Sequence, residues 1–177
     1  MNEKVNAWLK NTQPPWLGIA IETEEDKKWI PSALYGADTA DSIIRELRGH
    51  RMQTVPALMN EFAAALQFFR GFGANWHALS ECLCYLDEWL PGTSYLLIID
   101  DVSKVLVNER EDELKWLLMV LDDVGKWWSK PITENDRFNR EALPFHVMFK
   151  CSAEEYADVK TRFKGLVGEK EIESLSD

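Results

Sequence analysis

Between residues 76 and 90, in the stretch WHALSECLCYLDEWL, lie a histidine, a serine, two cysteines, two glutamates and an aspartate. His77 and Glu81 stand one helical turn apart, where a carboxylate can orient an imidazole for acid–base work. No nucleophile or metal set accompanies them, so a surface pair is the plainer reading. Cys82 and Cys84 form a Cys-x-Cys pair, but zinc needs further ligands at suitable spacing. A helix also turns the two thiols apart, Cys82 inward and Cys84 outward, so one buried thiol and one exposed one are expected, with no metal site and no cofactor. Upstream, Arg70-Gly71-Phe72-Gly73 precedes a helix start and is the one phosphate-cradle candidate. It lacks the Gly-Lys-Ser/Thr ending of a P-loop and leads into an acidic helix that repels phosphate. Glycine there suits a turn with positive φ and the close approach of a partner. A small nucleotide-handling enzyme built on the turn from Gly71 to Asn75 stays open as an alternative. His50 and His146 lie in or beside strands and read as structural.

On a helical wheel at about 100° per residue, Ser80, Asp87, Cys84, His77, Glu88 and Glu81 fall within an arc of roughly 120°. Trp76, Ala78, Leu79, Cys82, Leu83, Tyr85, Leu86, Trp89 and Leu90 fill the remainder. Any amphipathic helix must show water something polar. Ordinary exposed faces mix Lys with Glu for i,i+4 pairs; this one carries no cation. Indeed no Lys or Arg occurs from residue 71 to residue 103, a span that holds Glu81, Asp87, Glu88, Asp100 and Asp101. A helix so arranged reads as a binding face.

The elements that must position this helix follow from periodicity and punctuation. A short helix near residues 4–10 is stopped by Pro14-Pro15. Residues 17–22 read as a strand and 24–26 as an acidic turn. Residues 42–48 read as a strand ended by Gly49. Thr54 is a candidate N-cap for a helix to about residue 69, with Leu58, Phe62, Ala65, Leu66 and Phe69 at helical spacing. Asn75 is a second N-cap, for a helix over 76–90 stopped by Pro91-Gly92. The unbroken apolar run 95–99 is expected of a central parallel strand covered on both faces. Residues 111–129 form a long helix whose acidic start suits the dipole. A polar loop over 130–144, a strand over 145–151, a helix over 152–166 and a frayed acidic tail complete the chain. Trp76, Trp89, Trp116 and Trp128 are expected in the core. Of the adjacent Trp127 and Trp128, one is expected to be partly exposed, packing under the N-terminal extension.

The chain has 177 residues, 46% apolar, with eight Trp, 20 Lys and Arg against 30 Asp and Glu, and a net charge of −10. A chain of this size buries roughly 70% of its extended surface, enough for one domain. Its aromatic content excludes disorder as the main state. Its apolar runs fall short of the roughly 18 residues a bilayer needs. The acidic balance disfavours direct nucleic-acid binding, which needs a cationic footprint, and fits a basic protein partner. Three cysteines and the absence of a secretory h-region point to a reducing cytoplasm.

The run Phe72-Gly73-Ala74-Asn75-Trp76-His77-Ala78-Leu79-Ser80-Glu81-Cys82-Leu83-Cys84-Tyr85-Leu86 resembles the signature of the barstar family, small inhibitors of secreted ribonucleases. That family shows an aromatic-Gly-x-Asn turn, then a helix reading apolar-Asp-Ala-Leu-x-Asp-Cys-Leu. The resemblance covers about residues 41–151, with strands and helices in the family's order. It implies an α/β fold with a small parallel three-stranded sheet packed with helices. Residues 1–40 would be an extension packed on the core, and 152–177 a C-terminal helix and acidic tail.

The resemblance further implies a non-enzymatic, cytoplasmic inhibitor, or immunity protein, that is monomeric when free. Its acidic helix would plug the phosphate-binding cleft of a basic ribonuclease or other toxin domain. Asn75 matches the Asn that opens the helix, and Glu81 stands where the main inhibitory Asp sits. His77 replaces a second interface Asp, and Ser80 a position often aromatic or small. Gly71 and Phe72 occupy the turn that covers the cleft, Cys84 shares the outer strip, Asp87 and Glu88 lie at its rim, and Asp123 on the later helix offers another acidic contact. A barstar-fold interaction module without a nuclease partner is the other alternative.

Overall fold

The apolar run at 95–99 forms the middle of β3 (Ser94–Asp100), buried on both faces. The computed structural model describes residues 3–22, 41–133, 139–167 and 172–176. β3 pairs in parallel with β2 (Ser42–Arg48) on one side and β4 (Phe145–Cys151) on the other. Ser94 lies opposite Ser42, and their hydroxyls bond at 2.6 Å. Parallel neighbours require crossovers of a dozen or more residues, supplied here by α2 (Val55–Leu66) with α3 (Trp76–Cys84), and by α4 (Glu111–Trp128).

The sheet has five strands rather than the expected three, in the order β2-β3-β4-β1-β5. β1 (Leu17–Ile21) lies along the outer edge of β4, and β5 (Ile172–Ser174) along β1, both parallel. A lone strand's partner is not written in its own period, which is why the extension's place in the sheet could not be read locally. The segment expected as a frayed tail is instead an edge strand, with Ile172 and Leu175 buried. Gly18 makes this possible: a Cβ there would sit 2.6 Å from Leu175 Cδ1 and 3.0 Å from the Trp8 ring. The acidic turn expected at 24–26 and part of the 130–144 loop lie outside the described residues.

Helices α2, α3, α4 and α5 (Tyr156–Val167) send Leu58, Leu79, Leu117 and Phe163 into one core with Tyr95, Leu97 and Ile99. α1 (Glu3–Leu9) packs Val5 and Trp8 on the opposite face of the sheet, against Ile44, Leu96, Ile98 and Met148. α1 therefore lies on the other side of the sheet from α3. Ser152 and Glu155 satisfy each other's backbone N–H groups at 3.3 Å, a reciprocal cap that sets where the last helix begins.

α2 opens as expected, with Thr54 Oγ1 accepting the Ala57 N–H at 3.4 Å. It stops earlier, because Gln67 takes a left-handed φ of 55°. Phe69, expected on its buried face, lies beyond it and is 61% exposed. Glu61 on α2 is buried and accepts from the Arg48 guanidinium at 2.7 and 2.9 Å and from its backbone N–H at 3.0 Å. The Arg48 contact holds that carboxyl below its ordinary pKa and locks α2 to β2. Of the tryptophans expected inside, Trp128 is fully buried, Trp76 and Trp89 are half-buried, and Trp116 is 51% exposed. Trp116 falls between Lys115 and Leu117, on the outer side of α4, whose inner stripe is Leu114, Leu117, Leu118 and Leu121.

Candidate functional site

α3 begins at Asn75, whose Oδ1 accepts the Ala78 N–H at 3.0 Å while its Nδ2 donates to the Gly73 carbonyl at 3.1 Å. Both ends of this amide are therefore used to shape the turn and start the helix. The positive φ in the turn falls on Ala74, at 47°, not on Gly71 or Gly73 as expected. At Gly71 a Cβ would meet the Phe69 ring at 2.9 Å, so the ring as placed lies close over the turn.

The helix ends at Cys84, not at residue 90. Tyr85 breaks it with φ −118° and ψ 29°, and residues 86–88 form a single 3-10 turn. Re-aiming the chain buries both Leu86 and Leu90 and brings the Trp89 Nε1–H to the Leu66 carbonyl at 2.9 Å. Tyr85, expected on the inner side, is 39% exposed and packs against Trp127, with ring centroids 5.8 Å apart and planes tilted by 60°. Trp127 thus packs on the end of α3 rather than under the extension.

α3 and α4 lie side by side and parallel, fastened at both ends. The Trp76 Nε1–H donates to Glu113 at 2.9 Å at the start. At the finish, Trp128 and Trp127 each donate an indole N–H, at 3.0 Å, to the carbonyls of Leu83 and Cys84. Held this way, α3 presents a fixed strip. His77 and Glu81 on it are exposed, Ser80 is half-buried, and Asp123 is exposed on α4 alongside. The Asp123 charge reaches the Cys84 thiol.

Cys84 is half-buried against the core, not an exposed thiol. Burial pushes its pKa up to about 11, outweighing a hydrogen bond from Ser80. It is protonated at neutral pH and a poor nucleophile. Cys82 is buried, and desolvation raises its pKa as well.

The carboxylates of the strip do not share one environment. Asp87 is half-buried, and its charge acts on Arg140. Arg140 donates to the carbonyls of Trp127, Trp128, Lys130 and Glu141 at 3.0 to 3.3 Å, with Cζ 4.3 Å from the Trp128 ring centroid. The fold therefore brings one cation toward an acidic stretch that has none in sequence. Glu81 and Glu88 are exposed and make no ion pair among the described residues. Both line a pocket of about 350 Å³ between the turn after α2 and the end of α3. Its walls include Phe69, Phe72, Tyr85 and Trp89, aromatic positions that sequence reasoning had assigned to packing or, for Phe72, to the turn. The departure of Gln67 and Tyr85 from helical geometry, which exposes two of them, left no local signal.

Elsewhere, His50, Asp100 and Asp101 place ligand-type atoms within 4.8 Å of one another at the ends of β2 and β3. These groups are already engaged: His50 Nδ1 bonds Asp101 at 2.9 Å, and the Gly49 N–H donates to Asp100 at 2.8 Å. They close the sheet end. His146 is buried, with Nε2 at 2.8 Å from the Asn11 carbonyl and its ring against Trp8, in a structural role.

No curated protein sequence matches this chain. Among solved structures, Cdc6p from Pyrobaculum aerophilum is similar over 96% of this chain and 41% of its own length, with TM-score 0.55 and 17% identity. One chain in a structure of Drosophila ORC bound to AT-rich DNA and Cdc6 is similar over 90% of this chain and 47% of its own length, with TM-score 0.49 and 8% identity. The chain spans less than half the length of either, and at such identity the archaeal likeness concerns the α/β layering alone. The family described as Barstar (barnase inhibitor) matches residues 43–150. That match runs from within β2 to within β4, spans well over half of the chain and contains the Asn75-capped helix that carries Glu81: the chain belongs to the barstar family.

Proposed function

We propose that this chain is a non-enzymatic inhibitor that occludes the active site of a basic, ribonuclease-type partner with α3. The observation that carries this reading is the exposure of Glu81 on a helix clamped at both ends, with no described cation paired to it. A ribonuclease cleft is cationic because it must hold phosphates. A carboxylate on a rigid helix can take a phosphate's place there, and a net charge of −10 speeds the encounter.

In this reading Glu81 is the anchor, facing the partner's cationic catalytic groups. Asn75, Gly71 and Phe72 shape the turn that covers the cleft. His77 and Ser80 tune which partner fits, Cys84 supplies a neutral packing surface, and Asp123, Asp87 and Glu88 set the surrounding field. We take residues 41–151 as the inhibitory unit, with 1–40 and 152–177 adding to its sheet. An inhibitor of this kind protects RNA where it is made, so we place it in the cytoplasm, as a monomer until it meets its partner. No helix among the described residues is long and apolar enough to cross a membrane.

The test is capture of basic proteins from the producing organism on the immobilised chain, followed by ribonuclease assays of what is retained and of barnase. Stoichiometric inhibition by the native chain that fails with Glu81→Ala supports the reading. Retained partners without ribonuclease activity would replace it with an interaction module, and a thermal shift with nucleotides would favour the enzyme alternative.

A further inference from the structure

We propose that His50, Asp100 and Asp101 bind a divalent metal ion of the zinc class where β2 and β3 end. The inference stands apart from the inhibitor reading. β2 and β3 run in register up to Arg48 opposite Asp100, so the residues that follow each strand emerge side by side. Gly49 turns the chain at once into a 3-10 turn, and a Cβ there has no room. It would sit 2.0 Å from the Asp100 carbonyl oxygen and 2.7 Å from that of Asp101. This close approach brings the His50 imidazole to the two carboxylates. One ring nitrogen and one oxygen from each aspartate all lie within 4.8 Å of one another. Ligand atoms about 2.0 to 2.2 Å from a common ion stand up to about 4.3 Å apart, so a movement of about half an ångström closes the set. The side chains of His50 and Asp101, 51% and 52% exposed, have the freedom to make it.

Closing the sheet end uses only part of what these groups can bond. An ionised carboxylate offers about four lone-pair positions. Asp100 gives one to the Gly49 N–H and Asp101 one to the imidazole. A proton sits between His50 Nδ1 and Asp101 Oδ2, 2.9 Å apart, because both atoms are otherwise acceptors. A metal ion takes that proton's place. Nδ1 then turns its lone pair to the ion, Nε2 keeps the ring's one proton, and an imidazolium releases its second proton to solvent. The Arg48 guanidinium does not fill the site, because it is bonded to Glu61 at 2.7 and 2.9 Å and its charge reaches Asp100 only through space. The imidazole decides the class of ion: magnesium and calcium take oxygen ligands, whereas one nitrogen with two carboxylate oxygens suits zinc. Three protein ligands leave a position for water. The ion would lie at the carboxyl ends of parallel strands, where ligands of α/β sheets bind.

The probes are zinc and magnesium chlorides, titrated calorimetrically into the reduced, chelator-treated full chain. One equivalent of zinc bound with a Kd below about 0.1 mM, and magnesium at least about tenfold more weakly, is expected. His50→Gln and Asp101→Asn should each weaken zinc at least about tenfold with circular dichroism unchanged, both side chains being half exposed. His77→Gln and Cys84→Ser, which remove other zinc-binding groups, should leave it as it is. Cobalt(II), added to the isotopically labelled native chain, should broaden the amides of residues 49–51 and 100–102 first, a readout that needs no variant. Absence of zinc binding, magnesium bound as tightly as zinc, loss of binding on His77→Gln or Cys84→Ser, insensitivity to both His50→Gln and Asp101→Asn, or broadening centred elsewhere would overturn the proposal.

Discussion

The indole N–H of Trp76, the first residue of α3, donates to the carboxylate of Glu113, in the first turn of α4, at 2.9 Å. With Trp127 and Trp128 bonded to the last carbonyls of α3, that helix is held at both ends by α4. A helix this short is marginal by itself, so its rigidity comes from these fastenings and from the burial of Leu79 and Leu83.

Removing the Glu113 carboxylate leaves the half-buried indole N–H without its partner. Glu113→Ala should cost roughly 1 kcal/mol in urea unfolding. Trp76→Phe should lose more, because ring packing goes with the bond. In the double variant the two losses should fall short of their sum, since the shared bond can be lost only once. Strict additivity would show that the contact contributes nothing.

Glu81→Ala should weaken inhibition by at least about 2 kcal/mol, as central anchors do. Because Glu81 is exposed, folding stability should stay within about 0.5 kcal/mol of the parent. A binding loss below about 0.5 kcal/mol, with the fold intact, would move the anchor to another residue.

Asp123 lies on α4 beside the strip, exposed to solvent. A charge so placed steers encounter more than it holds the complex. Asp123→Asn should therefore slow association a few-fold in stopped-flow mixing at low salt, with dissociation unchanged. The difference should disappear near 1 M salt, where the screening length is only about 3 Å. A change in dissociation alone would place Asp123 within the contact.

His146 gives stability a pH dependence of known sign. Burial lowers its pKa to about 4 in the fold, although the bond to the Asn11 carbonyl opposes this. The unfolded chain titrates near 6.5, so it takes up the proton first as pH falls. The contribution is complete above about pH 6.5 and is lost progressively toward pH 4, amounting to roughly 2 to 3 kcal/mol between pH 7 and pH 4.5. Urea unfolding at the two pH values should show that loss for the native chain and a much shallower one for His146→Phe. Carboxylates such as Glu61, held low by Arg48, act on both chains alike. Parallel slopes would rule out His146 as the source.

Local signals carried much of the fold. The Thr54 and Asn75 caps, the apolar run inside β3, and the strands at Ser42–Arg48 and Phe145–Cys151 are all where periodicity and punctuation place them. These features depend on neighbours within a few residues, and a period of 2 or 3.6 is visible in a single chain. The absence of cations from α3 was legible for the same reason, but of the three carboxylates expected along it only Glu81 lies on the helix; Asp87 and Glu88 fall in the 3-10 turn after it.

The tertiary structure alone decided the rest. Which edge β1 and β5 would join depends on the open side of β4, more than a hundred residues from β1 in sequence. Whether Asp87 stands alone depends on Arg140, brought to it from beyond β3 and α4. Phe69 and Tyr85 belonged by pattern to buried faces, but left-handed Gln67 and the break at Tyr85 turned them outward to wall a pocket. Sequence by itself determined where this helix starts and that it carries Glu81 and no cation. Long-range packing determined where that helix stops and which of the nearby carboxylates lie beside a cation, because those outcomes minimise the free energy of the whole chain rather than of any window along it.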